Sequence, residues 1–236
     1  SAMRYGMADE YYDWSVSQLV GFDWKGGHLM IAADHTYHSA LEGKDRDFYT
    51  SDLRSRGGSD FRSQQCVPGN IVVDGVSYAI PANSTGILDP SSLTPNTRNL
   101  CDSIKNGDII PDLNRTSVFL SATQDLTDTL TLFAEGYWSH RTFSLQAASI
   151  TANLTVTNAN PFYVNPTGGT GPITVQYDFA RDGGLPNTPG FADSWEAIVG
   201  LTKELGKDWR LEVYGAHGRS EDVVKRRENV NTTPGG

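Results

Sequence analysis

The sequence has no apolar run approaching the roughly 18 residues of a transmembrane helix. A helical membrane protein is therefore excluded. A membrane β-barrel is not, because its strands alternate and never build a long apolar run. Basic charge is also scarce: 19 Lys+Arg against 28 Asp+Glu leave a formal net charge of −9. A nucleic-acid binder needs a basic face to neutralise phosphates, so the balance argues against that class. Hydrophobic residues make up 38%, on the low side for a globular chain, while aromatics at 10% and 24 glycines are well represented. A length of 236 residues suits one or two domains.

There are two cysteines, Cys66 and Cys101, and neither lies in a C-x-x-C pair, which argues against a zinc knuckle. Both sit in one long stretch rich in Gly, Pro, Asn and Ser. A disulfide between them would constrain the unfolded chain by roughly 3–4 kcal/mol. It would suit an oxidising, extracytoplasmic site. The alternative is two unrelated free thiols. The opening Ser1-Ala2-Met3 has no charged n-region and no apolar h-region, and reads as a cloning remnant ahead of an internal start point. The closing Asn231-Thr232-Thr233-Pro234-Gly235-Gly236 has loop composition. Both ends read as cut from something longer.

What the chain does have is alternation with period two, the signature of half-buried strands. The first such segment covers about 10–24. Tyr12, Trp14, Val16, Val20, Phe22 and Trp24 share one face, interrupted by Gln18; Asp13, Ser15, Ser17, Gly21 and Asp23 share the other. The others cover about 28–38, 115–124, 129–143, 194–204 and 209–219, each with an apolar and a polar face. No convincing helix emerges; residues 98–105 suit a turn or two. Connections run short, long, short, long, short: tight turns at 25–27, 125–128 and 206–208, and long irregular stretches at 39–114 and 144–193, the latter holding a short strand at 173–179. Tight turns on one side and long loops on the other describe an outer-membrane barrel. A soluble sandwich spaces its turns more evenly, and structureless loops of this length count against a compact soluble domain.

The tryptophans provide a second ruler. Trp14 and Trp24 share parity and lie ten residues apart. With a rise of about 3.3 Å and a tilt near 40°, ten residues span roughly 25 Å along the membrane normal, the height of the apolar band between aromatic girdles. Trp24 and Trp209 sit beside short turns, where an inner girdle belongs; Trp14, Trp138 and Trp195 sit at the far ends, where an outer one belongs. The alternative is that these tryptophans form the core of a soluble β-sandwich binding module, with carbohydrate as a candidate ligand, one face buried and one wet.

Chemical motifs are sparse, and no catalytic, cofactor-binding or metal-ligating set is expected. Gly75-Val76-Ser77-Tyr78-Ala79 misses the last glycine of a nucleophile elbow. In Asp34-His35-x-x-His38 the two imidazoles point to opposite faces of a strand, which argues against a shared metal. Asp45, Asp47 and Asp52 offer oxygen ligands for Ca²⁺, against a solvated loop with Arg46 and Arg54 as partners. Phe48, Tyr49, Phe61, Tyr78, Phe162 and Tyr163 suit stacking on a sugar or chelate, or packing of the loops on themselves. Asn83-Ser84-Thr85 and Asn114-Arg115-Thr116 match glycosylation acceptors, without meaning in a bacterial outer membrane. A third reading, an all-β hydrolase, needs a clustered acid/base pair that the spacing does not reveal. The polar residues Asp13, Asp34, Glu135, Glu196, Glu212 and Arg210 would line the barrel lumen.

The run Asp108-Ile109-Ile110-Pro111-Asp112-Leu113-Asn114-Arg115-Thr116-Ser117-Val118-Phe119-Leu120, followed by Leu126-Thr127-Asp128 and Leu130-Thr131-Leu132-Phe133-Ala134-Glu135-Gly136, resembles the barrel region of TonB-dependent outer-membrane receptors. Gly43-Lys44-Asp45-Arg46-Asp47-Phe48, Asn160-Pro161-Phe162-Tyr163-Val164-Asn165-Pro166 and the hairpin around Gly206 and Trp209 are also similar to that family. The likeness covers nearly the whole chain and rests on strand and loop texture. It implies a 22-stranded barrel closed by a plug domain, of which this chain would supply about six strands and no plug. It implies, for the parent, energised uptake of a scarce ligand: an iron chelate, cobalamin or an oligosaccharide. The implied partners are outer-membrane lipid, the plug, TonB acting through a TonB box, and that ligand. The implied location is the Gram-negative outer membrane, with the loops 39–114 and 144–193 extracellular.

Overall fold

The computed structural model describes residues 1–82, 84, 86–183 and 185–225. Strands and isolated bridges account for 60% of the described residues, which contain no α-helix, so the protein is all-β. In chain order the strands are β1 Ala2–Ala8, β2 Tyr11–Trp24, β3 Gly27–His38, β4 Leu41–Glu42, β5 Asn70–Val73, β6 Val76–Ala79, β7 Asp108–Ile110, β8 Asp112–Thr127, β9 Leu130–Gln146, β10 Thr151–Val156, β11 Ile173–Asp178, β12 Asn187–Gly206 and β13 Trp209–Val224. The described residues divide into two compact units, Ser1–Leu41 with Ile110–Leu145 and Thr188–Lys225, and Glu42–Ile109 with Gln146–Asn187.

The first unit is built on a seven-stranded sheet in the order β1-β2-β3-β8-β9-β12-β13. Each strand pairs with the next of the sheet in chain order, a plain meander with no crossover. Its tight turns use residues suited to the bend. Gly26 has φ 78° between β2 and β3, and Lys207 and Asp208 have φ 53° and 65° between β12 and β13. Two consecutive positive φ values make the mirror-image turn that matches strand twist. The segments expected at 10–24, 28–38, 115–124, 129–143, 194–204 and 209–219 are all strands, and the last four extend beyond those bounds to 16, 17, 20 and 16 residues. β1 is a strand the period-two reading passed over: Met3, Tyr5 and Met7 alternate with Arg4 and Gly6 in register with β2. The closing residues 231–236 lie outside the described residues.

The second unit corrects the expectation of irregular loops. It holds a four-stranded antiparallel sheet, β10-β11-β5-β6, with the strand expected at 173–179 as β11. Asp74 and Gly75, at φ 49° and 79°, turn β5 into β6. Ile71, Val73, Tyr78, Leu93, Val164 and Ile173 form its core. Cys66 and Cys101 are disulfide-bonded, with Cα atoms 5.4 Å apart. Beside the bridge, Asn70 is fully buried. Its Nδ2 donates to the Gln64 and Asn99 carbonyls, and its Oδ1 accepts from the Asn99 N–H at 2.7 Å. Asn99 in turn donates to the carbonyls of Pro68, Gly69 and Ile80. Two asparagines thus knit the stretches at 64–70, 80 and 99 together at the end of the β5 ladder. Residues 103–106 make one 3₁₀ turn.

Candidate functional site

The register sorts the side chains of the seven-stranded sheet onto two faces. Val20 of β2 stands opposite Ile31 of β3, Ile31 opposite Leu120 of β8, and Leu120 opposite Gly136 of β9. Phe22, Leu29, Ala122 and Ala134 form the next line. On β12 and β13, Leu201 pairs with Val213. These residues make one continuous apolar face. It is not covered: Phe22 is 58% exposed, Val199 56% and Val213 62%. Among the described residues, Leu41 at the unit's boundary is the only large hydrophobic residue of the first unit that is buried. The sheet therefore has seven strands and no core of the kind a soluble sandwich requires.

The tryptophans mark the ends of this face. Trp24 pairs with Gly27 beside a tight turn and donates through Nε1 to Gln124 Oε1 at 2.6 Å; Trp209 closes the β12–β13 turn opposite Gly206. At the far end, Trp14 pairs with Tyr5 and Tyr37, Trp138 with Val118 and Trp195 with Arg219. Histidines accompany the far-end aromatics. The His35 ring lies 5.0 Å from Trp14, His140 6.3 Å from Trp138 and His217 5.3 Å from Trp195. His35 Nδ1 is 2.8 Å from Thr116 Oγ1, and His140 Nδ1 is 2.5 Å from Asp193 Oδ1. The sequence reading missed this companionship, although the i±2 spacing of Trp138 and His140 was visible.

The opposite face carries Asp13, Asp34, Glu135, Glu196, Glu212 and Arg210 together, by the register of their strands. It is not purely polar, since Leu19, Met30, Phe119, Phe133 and Ile198 also fall on it. A cavity of about 600 Å³ on this face is lined by Glu135, Glu204, Glu212, Arg210 and hydroxyls of Ser121, Thr123 and Thr202. Arg115 and Arg141 stand directly opposite one another there. That pair was legible by folding the β8–β9 hairpin about its turn, and was overlooked.

In the second unit the expected acidic cluster resolves into ion pairs. Arg54 donates to both oxygens of Asp52, through Nε at 2.8 Å and Nη2 at 2.6 Å. Arg62 holds Asp60 in the same way, and Arg54 and Arg62 each also reach the other aspartate. The Arg54 hydrogen bonds hold the Asp52 carboxyl well below the usual carboxylate range, and Arg62 lowers Asp60 likewise. Asp45 and Asp47 do not join this network, and no three metal-type side chains converge among the described residues. His35 and His38 lie on opposite faces of β3. Of the loop aromatics, Phe48, Phe61 and Phe162 are exposed, Tyr78 is buried in the core, and Tyr163 donates to the Gly169 and Gly171 carbonyls. Ser77, of the incomplete elbow, is buried on β6 with no hydrogen-bond partner among the described residues. Asn83 and Thr85 of the first glycosylation match lie outside the described residues, and Asn114-Arg115-Thr116 lies within β8. No family model, no curated protein and no solved structure matches the chain.

Proposed function

We propose that the seven-stranded sheet is a stretch of the wall of a transmembrane β-barrel, and that the chain is part of a TonB-dependent outer-membrane receptor. The observation that carries this reading is the uncovered apolar face bounded by aromatic side chains. A water-soluble chain rarely leaves a contiguous apolar patch of more than a few hundred Å² open, whereas a barrel wall must present one to acyl chains.

The stagger of the tryptophans supports the same reading. The line of partners from Trp14 runs through Tyr37 and Asn114 to Thr142, and Trp138 stands four residues nearer the tight turn than Thr142. Four residues at about 3.3 Å over three strand steps of about 4.8 Å correspond to a tilt of about 40°. Strands of outer-membrane barrels tilt by about 35–45°. A horizontal girdle on strands so tilted places its tryptophans with that offset.

On this reading the polar face lines the lumen and meets the plug, and TonB is the parent's energy-coupling partner. The parent is a transporter, not an enzyme. It takes up an iron chelate, cobalamin or an oligosaccharide, with the second unit belonging to its extracellular side. The test is partition. Full-length protein carrying this sequence should pellet with outer membranes and need detergent for extraction; recovery from the periplasm without detergent would sink the reading.

A further inference from the structure

We infer that Arg115 and Arg141 form a binding site for a ligand oxyanion, a carboxylate or a phosphate, on the polar face of the sheet. The inference rests on the reading that this face lines a water-filled lumen. The two arginines are direct cross-strand partners on β8 and β9, which places their Cβ atoms about 5 Å apart. Like charges so placed destabilise a strand pair unless something bridges them.

The nearby carboxylates do not hydrogen-bond to either guanidinium. Arg115 Nη2 is 3.8 Å from Asp34 Oδ2, and Arg141 Nη2 is 3.7 Å from Asp222 Oδ1, both beyond hydrogen-bond reach. Asp34 Oδ2 instead accepts from Thr36 Oγ1 at 3.2 Å. Arg141 is positioned by packing, its Cζ lying 5.5 Å from the centre of the Phe143 ring. Its Nε is shielded from solvent and has no partner among the described residues. Both side chains stay open to solvent, at 49% and 43% exposure, so an anion competes with two long ion pairs and with no hydrogen bond to a carboxylate. Arg115 leans toward Asp34 of β3 and Arg141 toward Asp222 of β13; swung back over their own strand pair, the two planar forks suit a bridging oxyanion, which cancels the repulsion and accepts charge-assisted hydrogen bonds from each.

The adjoining line of residues leaves room for the rest of a ligand. Ser17, Asp34, Ser117 and Ser139 are consecutive cross-strand partners, and the first three border a cavity of about 450 Å³ whose lining includes Ala32, Phe119 and Tyr137. Hydroxyls and two aromatic rings beside a guanidinium pair suit an anionic molecule with a partly apolar body.

Calorimetric titration of the full chain in detergent micelles with inorganic phosphate and with malonate, at low ionic strength, tests the site. At least one of the two should bind, R115Q and R141Q should each weaken that binding tenfold or more, and D34N/D222N should tighten it severalfold by removing the competing carboxylates. The site is overturned if the wild type binds neither anion, if the arginine variants bind like the wild type, or if D34N/D222N weakens binding. Should a glutamine variant lose strand content by circular dichroism, R115K and R141K repeat the test, since they keep the charge and lose the fork. Anion binding by a chain that stays dispersed without detergent would uphold the site and overturn the lumen. Unchanged binding by R115Q in a membrane-resident chain would overturn the site and leave the lumen standing.

Discussion

The ring of Phe133 on β9 lies across the backbone of Gly200 on β12. A Cβ built at position 200 would stand 2.4 Å from Phe133 Cζ and 2.7 Å from Tyr214 Cβ. Phe133 Cζ is the far end of a side chain that can swing aside. Tyr214 is different, because it is the direct partner of Gly200 on β13 and its Cβ moves only with its strand. Glycine is required here by the close approach of neighbours, which is one way aromatic rings cover glycines in sheets.

G200A should therefore destabilise the sheet by about 1–3 kcal/mol, the usual cost of overpacking. G215A is the matched control, since its Cβ would meet nothing within 4 Å. It should change stability by no more than about 0.5 kcal/mol. The urea midpoints of both variants in detergent decide the matter, and equal midpoints would remove the packing role given to Gly200.

Replacing both cysteines should loosen the second unit. The bridge spans a sequence separation of 35, and closing a loop of that size removes about 4 kcal/mol of unfolded-state entropy on the loop model. Cys101 also exchanges backbone hydrogen bonds with Ser63 at 2.9 Å, so the bridge anchors the strand-like pairing around it. In C66S/C101S, or with reductant, tryptic cleavage after Arg98 and Lys105 should accelerate at least tenfold. Unchanged cleavage would mean the Asn70–Asn99 network holds the segment unaided.

The Asp52–Arg54–Asp60–Arg62 network makes the second unit acid-sensitive. The carboxyls of Asp52 and Asp60 titrate lower in the folded chain than in the unfolded one, chiefly because Arg54 and Arg62 hydrogen-bond to them. The unfolded chain thus binds more protons as pH falls through about 4, the ordinary aspartate value. The stabilisation is complete above that pH and is lost progressively below it. D52N and D60N should each flatten the fall in thermal midpoint between about pH 5 and pH 2. Arg54 is exposed and its three partners are half-buried, so added salt should blunt part of the effect in the wild type.

The strands were legible because one force wrote them. Where one face is apolar and the other polar, period two appears directly in the sequence, as Trp14 to Trp24 and Trp195 to Leu201 show. β1 escaped because Met3, Tyr5 and Met7 alternate over only three positions, beside a start read as foreign. The second unit escaped for a different reason. Its core uses four-residue strands, Asn70–Val73 and Val76–Ala79, flanked by segments that asparagine side chains tie to backbone carbonyls. Such bonds have no period. The pairing of Cys66 with Cys101 was open from sequence against two free thiols, and only the fold brings their Cα atoms to bonding distance. Arg115 and Arg141 lie 26 positions apart in sequence; only hairpin register makes them neighbours.

Depth-dependent cost is the sharpest check on the lipid-facing assignment. Val20 lies midway along the apolar face, between Trp14 and Trp24 of the same strand, whereas Tyr12 lies beyond Trp14 toward the rim. In a bilayer, V20R places a guanidinium near the hydrocarbon midplane and should cost about 2–4 kcal/mol, while Y12R, close to the headgroups, should cost about 0–1 kcal/mol. In water both positions are already partly exposed, and arginine at either would change stability by about 0.5 kcal/mol or less. Equilibrium refolding of the two variants into phosphatidylcholine vesicles measures the difference. A gap of about 2 kcal/mol or more between V20R and Y12R marks acyl chains as the medium this face meets. Equal, small effects would assign the face to water or to protein, and the barrel reading would fall with it.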